Sequence, residues 1–197
     1  MSADIIPTHL RERFRFADYQ HACAILSMDF PSEWKDIVDC LSAFTLKKSA
    51  ITVGGGGRSS IPMDLDGFLV GRGWSEKRFE VKIVVDGDER PTPTHKIDNV
   101  KNGVGVEVEW NNKTEFYDRD LNNFRLLHQL GILAAGVIIT RQSELQEALF
   151  NPLGIGGKYG PSTTHWDKLI PKINGGGAGG CPLLLVGIGM ECYREDQ

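Results

Sequence analysis

Several familiar signatures are missing from this sequence of 197 residues, and each absence narrows what the protein can be. Its four cysteines show no Cys-x-x-Cys spacing, which speaks against a zinc site or a disulfide framework and favours reduced, mostly buried thiols. No apolar run approaches the length of a membrane span, and the N-terminus lacks the basic-then-apolar order of a secretory signal. We therefore expect a cytoplasmic protein without a membrane segment.

The glycine-rich stretches lack the residues that nucleotide binding requires. VGGGGRSS at residues 53–60 is not followed by Gly-Lys-Ser/Thr, so it is not a P-loop. GGGAGG at residues 175–180 contains Gly-x-Gly-x-x-Gly but precedes a strand-like segment instead of following one. No Ser-His-Asp or Cys-His arrangement is legible around the five histidines. We predict no nucleotide cofactor and no serine- or cysteine-based catalytic site.

The composition is that of an ordinary globular protein, with 41% hydrophobic and 24% charged residues. The length suits one domain with a sizeable core, so we predict a single domain over residues 1–197. A net charge of -4 argues against a protein that coats nucleic acid non-specifically. It does not exclude a sequence-specific DNA-binding protein, because some of the acids could be metal ligands.

Periodicity predicts an α/β chain. Apolar residues at helical spacing indicate a helix within residues 5–28 and a clearer one after Pro31. Strict alternation predicts a strand with one buried face at residues 79–86, followed by a connector of turn-forming residues. A late apolar run at residues 182–189 predicts a buried strand, and the last five residues a solvated tail.

A helix lies between two strands in the middle of the chain. Asp118 or Asp120 is expected to cap it, and Gly131 to follow its last turn. The apolar run at residues 132–140 then reads as a buried strand. Strand, helix and strand in this order form a crossover unit, so part of the sheet should be parallel.

The most informative stretch is IDNVKNGVGVEVEWNN at residues 97–112. Asn102-Gly103 is a strong signal for a two-residue hairpin turn, because both residues tolerate the positive φ that a type I′ turn requires. With this turn in place, Asp98 lies opposite Glu107 on the two antiparallel strands. Side chains paired in this way have Cβ atoms about 4.5–5.5 Å apart, so two like charges would share a small volume.

Alternation places a third carboxylate, Glu109, on the same face as Glu107. Convergent hard oxygen ligands suit Mg²⁺, which indicates a metal-dependent phosphodiesterase site. The alternative without a functional role is that Glu107 and Glu109 form the solvated face of a half-buried hairpin, which is what an isolated Glu-x-Glu more often indicates. The position of Asp98 favours the metal site, since a solvated face gives no reason for a carboxylate there.

Asp98 followed after a gap by Glu107-Val108-Glu109 resembles the PD-(D/E)xK nuclease signature. The wider sequence resembles type II restriction endonucleases of the BglII/BstYI type over most of its length, in the segments FPSEWKDI, GGGGRSSIPMDLDGFL, GWSEKRFEVKI, VEVEWNN and STTHWDKL. The resemblance implies a restriction-endonuclease-like α/β fold, with a mixed β-sheet core flanked by α-helices. It also implies a homodimer that makes Mg²⁺-dependent double-strand cuts in palindromic DNA, here at a site expected to be centred on GATC.

The resemblance implies that Asp98 and Glu107 are metal ligands and that the backbone carbonyl of Val108 is the third ligand from the protein. Glu109 stands where most of the superfamily has lysine, which leaves two roles open. It either accepts the proton of the attacking water or helps to hold a second metal ion.

Asn111 and Asn112 directly follow the catalytic strand, and asparagine can pair bidentately with adenine in the major groove. The other candidate DNA-contacting residues are Lys113, Ser162, Thr163, Thr164, His165, Arg58, Lys77 and Lys158. For residues 162–165 the alternative is simple turn and N-cap chemistry before a helix that starts near Trp166. Two other functions stay open: a repair, phage or transposition nuclease of the same fold, and a non-catalytic metal- or DNA-binding module.

Overall fold

A computed structural model describes residues 2–53, 59–92 and 94–196 of the chain. The strands in these ranges are β1 (Phe14–Tyr19), β2 (Leu46–Lys47), β3 (Ser75–Arg78), β4 (Val81–Val85), β5 (Asp88–Thr92), β6 (Lys96–Lys101), β7 (Val104–Glu109), β8 (Ala135–Arg141), β9 (Leu183–Ile188) and β10 (Tyr193–Arg194). The helices are α1 (Ser2–Ile5), α2 (Thr8–Arg11), α3 (Ala22–Asp29), α4 (Pro31–Ala43), α5 (Lys48–Thr52), α6 (Ser60–Val70), α7 (Glu115–Gln129) and α8 (Trp166–Asn174).

The main sheet has six strands in the order β1-β9-β8-β7-β6-β3. Its centre, β7-β8-β9, is parallel, while β1, β6 and β3 are antiparallel to their neighbours. The parallel β7-β8 pair is joined through α7, as expected for a crossover unit. The mixed sheet flanked by helices confirms the predicted restriction-endonuclease-like α/β architecture.

Both faces of the sheet are covered, so its central strands are buried throughout. On one face Val106 and Val137 pack with apolar residues of α3, α4 and α6. On the other, Phe124 of α7 and Leu169 of α8 pack over Ile138. These two hydrophobic layers fix β7 between them. No helix in the described part of the chain is long and apolar enough to cross a membrane, and the four cysteines are free and buried, as predicted.

The central hairpin forms with the predicted register. Asn102 and Gly103 adopt φ values of 46° and 86°, and Lys101 pairs with Val104. Gly131, with φ 70°, follows the end of α7 and donates its N–H to the His128 carbonyl, which confirms it as the residue that ends this helix.

The predicted helix over residues 5–28 is wrong in its middle. Three short helices, α1, α2 and α3, surround the strand β1, which pairs along its whole length with β9 at the edge of the sheet. The alternation of Phe14 and Phe16 with polar neighbours is the strand signal, and Gln20 and His21 then take positive φ to turn the chain into α3.

The strand expected at residues 79–86 is present as β4, but its surroundings differ from the prediction. It pairs only with β5, in a separate hairpin turned by Asp86 and Gly87 at φ 51° and 91°. On the face expected to be buried, Ile83 and Val85 are 47% and 42% exposed, and only Phe79 and Val81 at its start pack against the core. The connector predicted as turns therefore contains a strand.

Two further expectations are corrected. Neither Asp118 nor Asp120 caps α7, because the helix already begins at Glu115 and both residues lie within its first two turns. The C-terminal tail is not simply solvated, since β10 pairs with β2 and the Asp196 carboxylate accepts a hydrogen bond from the backbone N–H of Ser49 at 2.9 Å.

Candidate active site

A cleft of about 790 Å³ opens where β6 and β7 separate. One wall is lined by Asp98 of β6, by Val108 and Glu109 of β7, by Asn111 and Asn112 beyond β7, and by Arg119 of α7, and the start of α6 contributes Ser59, Ser60, Pro62 and Met63. The α6 wall is attached to β6 by a buried hydrogen bond of 2.6 Å from Asn99 Nδ2 to Asp66 Oδ1. The cleft is therefore framed by fixed elements on both sides.

Counted from the hairpin turn, the last backbone pair between β6 and β7 is Asn99–Val106, so Asp98 and Glu107 come directly after the end of the ladder. Beyond the Asn99–Val106 pair, side chains take over the hydrogen bonding between the strands. The backbone N–H of Asp98 donates to Glu107 Oε2 at 3.3 Å, and that of Val108 donates to Asp98 Oδ2 at 3.4 Å. The two carboxylates thus lie together at the predicted place, inserted between separating strands instead of facing each other across a regular ladder.

Glu109 is almost fully buried beside them. Its Oε2 accepts a hydrogen bond from Asn112 Nδ2 at 2.8 Å, and its Oε1 lies 3.6 Å from Arg119 Nη2. Burial, followed by the charge of Asp120, raises the pKa of Glu109 to about 9. Burial also raises the pKa of Glu107 well above its ordinary value, with the neighbouring charges of Asp120 and Asp98 adding to the shift.

Asp120 is a fourth carboxylate of this cluster, and the sequence reasoning missed it. It is fully buried, and its Oδ1 accepts a hydrogen bond from Arg119 Nε at 2.9 Å and forms an ion pair with Arg119 Nη2 at 2.9 Å. The missed signal was helical spacing, because Asp120 lies three residues after Tyr117 and four before Phe124, on the apolar face of α7. A carboxylate on that face has to meet partners inside the protein.

The donor set fits a hard divalent cation. Glu107 Oε1 and Asp120 Oδ2 are buried carboxylate oxygens that have no hydrogen-bond partner in the part of the chain described. Within residues 2–53, 59–92 and 94–196, however, no three or more acidic, His or Cys side chains already stand in a metal-binding arrangement. Several of the acidic oxygens are instead occupied by backbone N–H groups and by Asn112.

Two glycines determine how closely α7 approaches this cluster. Gly105 and Gly136 are partners on β7 and β8, and the ring of Phe124 lies over both. A Cβ atom would come within 2.9 Å of that ring at Gly105 and within 2.6 Å at Gly136. Because neither residue has a side chain, α7 packs close to the sheet and Asp120 reaches Glu109.

A sequence model of the family described as restriction endonuclease BglII/BglIII matches residues 14–188, from the first residue of β1 to the last of β9. The chain belongs to this family. It is a site-specific deoxyribonuclease, and therefore a hydrolase of the type II restriction class. No sequence among curated proteins matches it significantly.

As a BglII/BglIII-family restriction endonuclease, the protein has double-stranded DNA as its substrate, and such enzymes generally use divalent metal ions. Among the predicted DNA contacts, Asn111, Asn112 and Lys158 line the cleft. Asn111 has φ 61° and a buried Oδ1 that lacks a partner in the described residues, whereas the Asn112 amide is already bonded to Glu109. Lys77 is exposed and lies over the Phe79 ring, at 4.7 Å from its centre.

Residues 162–165 divide into exposed and structural positions. Ser162 is exposed, whereas Thr164 is fully buried and accepts a hydrogen bond from the backbone N–H of Asn112 at 3.1 Å. In this structure the Thr164 side chain is engaged by the backbone of Asn112, and its contact with DNA stays a prediction. Thr163 Oγ1 accepts from Arg141 Nη2 at 3.1 Å, and His165 Nδ1 lies 2.8 Å from Ser143 Oγ.

Two predicted DNA contacts remain, Lys113 and Arg58. Lys113 is exposed and forms an isolated antiparallel bridge with Thr163. Arg58 lies outside the described residues. Sequence reasoning also missed Arg141, which is fully buried and whose pKa burial lowers to about 10. Its only signal was a cation at the end of an apolar strand.

Proposed function

We propose that this restriction endonuclease makes Mg²⁺-dependent double-strand cuts in a palindromic sequence, expected to be centred on GATC. One observation carries the proposal: four carboxylates, Asp98, Glu107, Glu109 and Asp120, are packed at the inner end of an open cleft with Arg119 as the adjacent cation. Buried like charges are costly unless a cation is bound among them. A divalent ion that is required for the reaction explains why the fold tolerates them.

Asp98 and Glu107 would hold the ion, together with the carbonyl of Val108. When bound, Mg²⁺ would stabilise negative charge on the phosphate and lower the pKa of the attacking water. Hydrolysis forms a bond between the water oxygen and phosphorus and breaks the opposite P–O ester bond. The water loses one proton, and the leaving oxygen gains one.

Glu109 is the group best placed to receive the proton from water. It lines the cleft, and Asn112 and Arg119 contact its two oxygens and favour the ionised form. Because burial raises its pKa to about 9 in the metal-free protein, Glu109 would become the base when bound Mg²⁺ stabilises that ionised form. The contact with Arg119 supports the role of general base over that of ligand to a second metal ion, because a cation already lies 3.6 Å from Oε1 and would repel a second one.

Sequence recognition would come from the cleft edge. Asn111 and Asn112 directly follow the catalytic strand, and Ser162 with Thr163 lies on the loop that the Asn112–Thr164 contacts attach to it. For Asn112 to read a base, its amide has to exchange Glu109 for the DNA. A homodimer would place one such set on each strand of a two-fold symmetric site.

Plasmid digestion tests the proposal directly. The protein is incubated with plasmid DNA of known sequence with and without Mg²⁺, and the ends of the products are mapped. We expect discrete, Mg²⁺-dependent fragments with ends at one palindromic sequence. A smear would indicate a nuclease without site specificity, and metal binding without any cleavage would indicate a non-catalytic module.

Single substitutions assign the metal ligands. Asp98→Ala and Glu107→Ala should abolish cleavage while thermal unfolding remains cooperative. Asp118→Ala is the matched control, because this carboxylate of α7 is exposed and pairs with Lys172 at 2.6 Å, away from the cleft lining. Full activity in either of the first two variants would remove the assignment.

A further inference from the structure

The carboxylates of the cleft repel the phosphodiester that has to bind there, and one divalent ion does not neutralise all of them. Glu109 stands at the position where the resemblance expects lysine, and this exchange removes one positive charge and adds one negative charge. The phosphodiester that has to bind there is itself an anion. With four carboxylates nearby, its approach is repelled unless another cation faces the reacting phosphate.

Two cationic residues line the cleft within the described parts of the chain, Arg119 and Lys158. Lys158 is already committed, because its Nζ donates to the backbone carbonyls of Ile51 at 3.1 Å and Val53 at 2.7 Å. It therefore anchors the segment that ends at Val53 to the cleft. Arg119 is the cation beside Glu109.

Arg119 is fixed on three sides. Its Nε and Nη2 bind Asp120 Oδ1, its guanidinium carbon lies 4.3 Å from the centre of the Phe116 ring, and its Nη2 approaches Glu109. In the described residues Nη1 has no partner, and the side chain remains 29% exposed in the cleft. The result is a guanidinium with a fixed orientation and one free nitrogen, Nη1.

We propose that Arg119 contacts the scissile phosphate and supplies the positive charge that most of the superfamily takes from the motif lysine. This inference rests on the proposed cleavage reaction. The free Nη1 can donate a charge-assisted hydrogen bond to a phosphate oxygen, and the positive charge stabilises most when negative charge builds up on the phosphorus-bound oxygens. Asp120 and Phe116 explain why the group is already oriented before DNA binds.

The test compares Arg119→Gln and Arg119→Lys with Arg125→Gln. Arg125 lies on the same helix, is bonded to Asn122, and faces a groove away from the cleft, so it controls for the loss of one positive charge from α7. Cleavage of a duplex that carries the mapped site is measured in single turnover with saturating enzyme and Mg²⁺. We expect a rate loss of about 100-fold or more for Arg119→Gln, a smaller loss for Arg119→Lys, and none for Arg125→Gln.

A second readout does not depend on cleavage. DNA affinity is measured with Ca²⁺ in place of Mg²⁺ over a range of salt concentrations, and loss of one phosphate contact should reduce the slope of log K against log salt by about 1 in Arg119→Gln. Arg125→Gln should keep the parent slope. Titration of the DNA-free protein with Mg²⁺ should show binding at least as tight in Arg119→Gln as in the parent, because removing a nearby cation reduces the repulsion of Mg²⁺ when the carboxylates keep their positions.

Three results would overturn the inference: cleavage by Arg119→Gln at the parent rate, an unchanged salt slope, or weaker Mg²⁺ binding, which would mean that Arg119 only holds the carboxylates in place. Each leaves the parent enzyme active, so the proposed function would stand. If the parent itself does not cut DNA, the proposed function fails and this inference fails with it. Arg119→Lys keeps the charge and supports the comparison if the glutamine variant is unstable.

Discussion

The two faces of β7 show how one strand serves opposite purposes. On one face Val104, Val106 and Val108 are buried in a hydrophobic layer, and each contributes to stability through the apolar area that it removes from water. On the other face Glu107 and Glu109 are buried among like charges. Burying a carboxylate in this way costs free energy unless it is paired.

The difference teaches that the acidic face depends on the apolar face. A buried valine side chain typically contributes roughly 1.5–3 kcal/mol, so a layer of them can offset the cost of the carboxylates behind them. Stability and catalysis are thus separated by side-chain alternation along six residues of one strand. Substitutions on the two faces should have opposite effects, and the following predictions test that separation.

The largest effect is expected on the acidic face. Glu107→Gln removes a proposed metal ligand and should lower the single-turnover cleavage rate by on the order of 1,000-fold, several kcal/mol of transition-state stabilisation. It should leave the free energy of unfolding unchanged or raised in the absence of divalent ions, because one buried like charge is gone. A large loss of stability would show that Glu107 is a structural residue.

The apolar face should respond in the opposite way. Val106→Ala leaves a cavity in the hydrophobic layer and should lower the free energy of unfolding by roughly 2 kcal/mol. The cleavage rate per folded molecule should remain close to that of the parent. Urea unfolding measures the stability, and single-turnover cleavage measures the rate. If the cleavage rate per folded molecule fell together with the stability, the two faces of β7 would not have separate roles.

The sequence was sufficient for this strand and insufficient for what packs against it. Asn102-Gly103 and the alternation of Val104 to Trp110 are local signals, and they fixed the register that brings Asp98 to Glu107. Asp120 depends on how α7 packs against the sheet, which is a tertiary property. Only its position on the apolar face of the helix hinted at burial.

The same limit explains the other corrections. The strand β1 was hidden because six alternating residues lie between short helical segments. The strand β4 alternates like a half-buried strand, but nothing in its sequence says that Ile83 and Val85 are left exposed in the described part of the chain. Whether Thr164 meets DNA or the backbone of Asn112 also depends on contacts between distant segments.

A pH series sharpens the comparison further. The pKa of Glu109 is raised to about 9 in the folded protein from an ordinary value of 4.5, so its contribution to stability is fully present below pH 4.5 and is lost as the pH rises through about 9. Without divalent ions, the free energy of unfolding should fall over this range, by around 1 kcal/mol per pH unit for one such group. Glu109→Gln should flatten the slope, and Mg²⁺ should oppose it by stabilising the ionised form. A parent curve without this slope would contradict the burial effect.

The smallest effect is expected at Thr164, a buried polar residue near the cleft to which we assign a structural role. Thr164→Val removes the acceptor of the Asn112 N–H and should cost roughly 1 kcal/mol of stability, as for a lost buried hydrogen bond. Ser162→Ala is the exposed control and should leave stability unchanged within about 0.5 kcal/mol. If Thr164→Val instead weakened DNA binding at unchanged stability, the predicted role of Thr164 in DNA contact would be supported.

The glycine pair under Phe124 limits how this nuclease can be redesigned. Engineers who vary the cleft edge to obtain new cutting preferences need to leave Gly105 and Gly136 alone, since even a methyl group there would push against the ring that seats α7. Such a change would lift Arg119 and Asp120 together, although neither would have been mutated. Variants with a substitution at either glycine would therefore lose cleavage activity, although a glycine itself contributes no side chain to the active site.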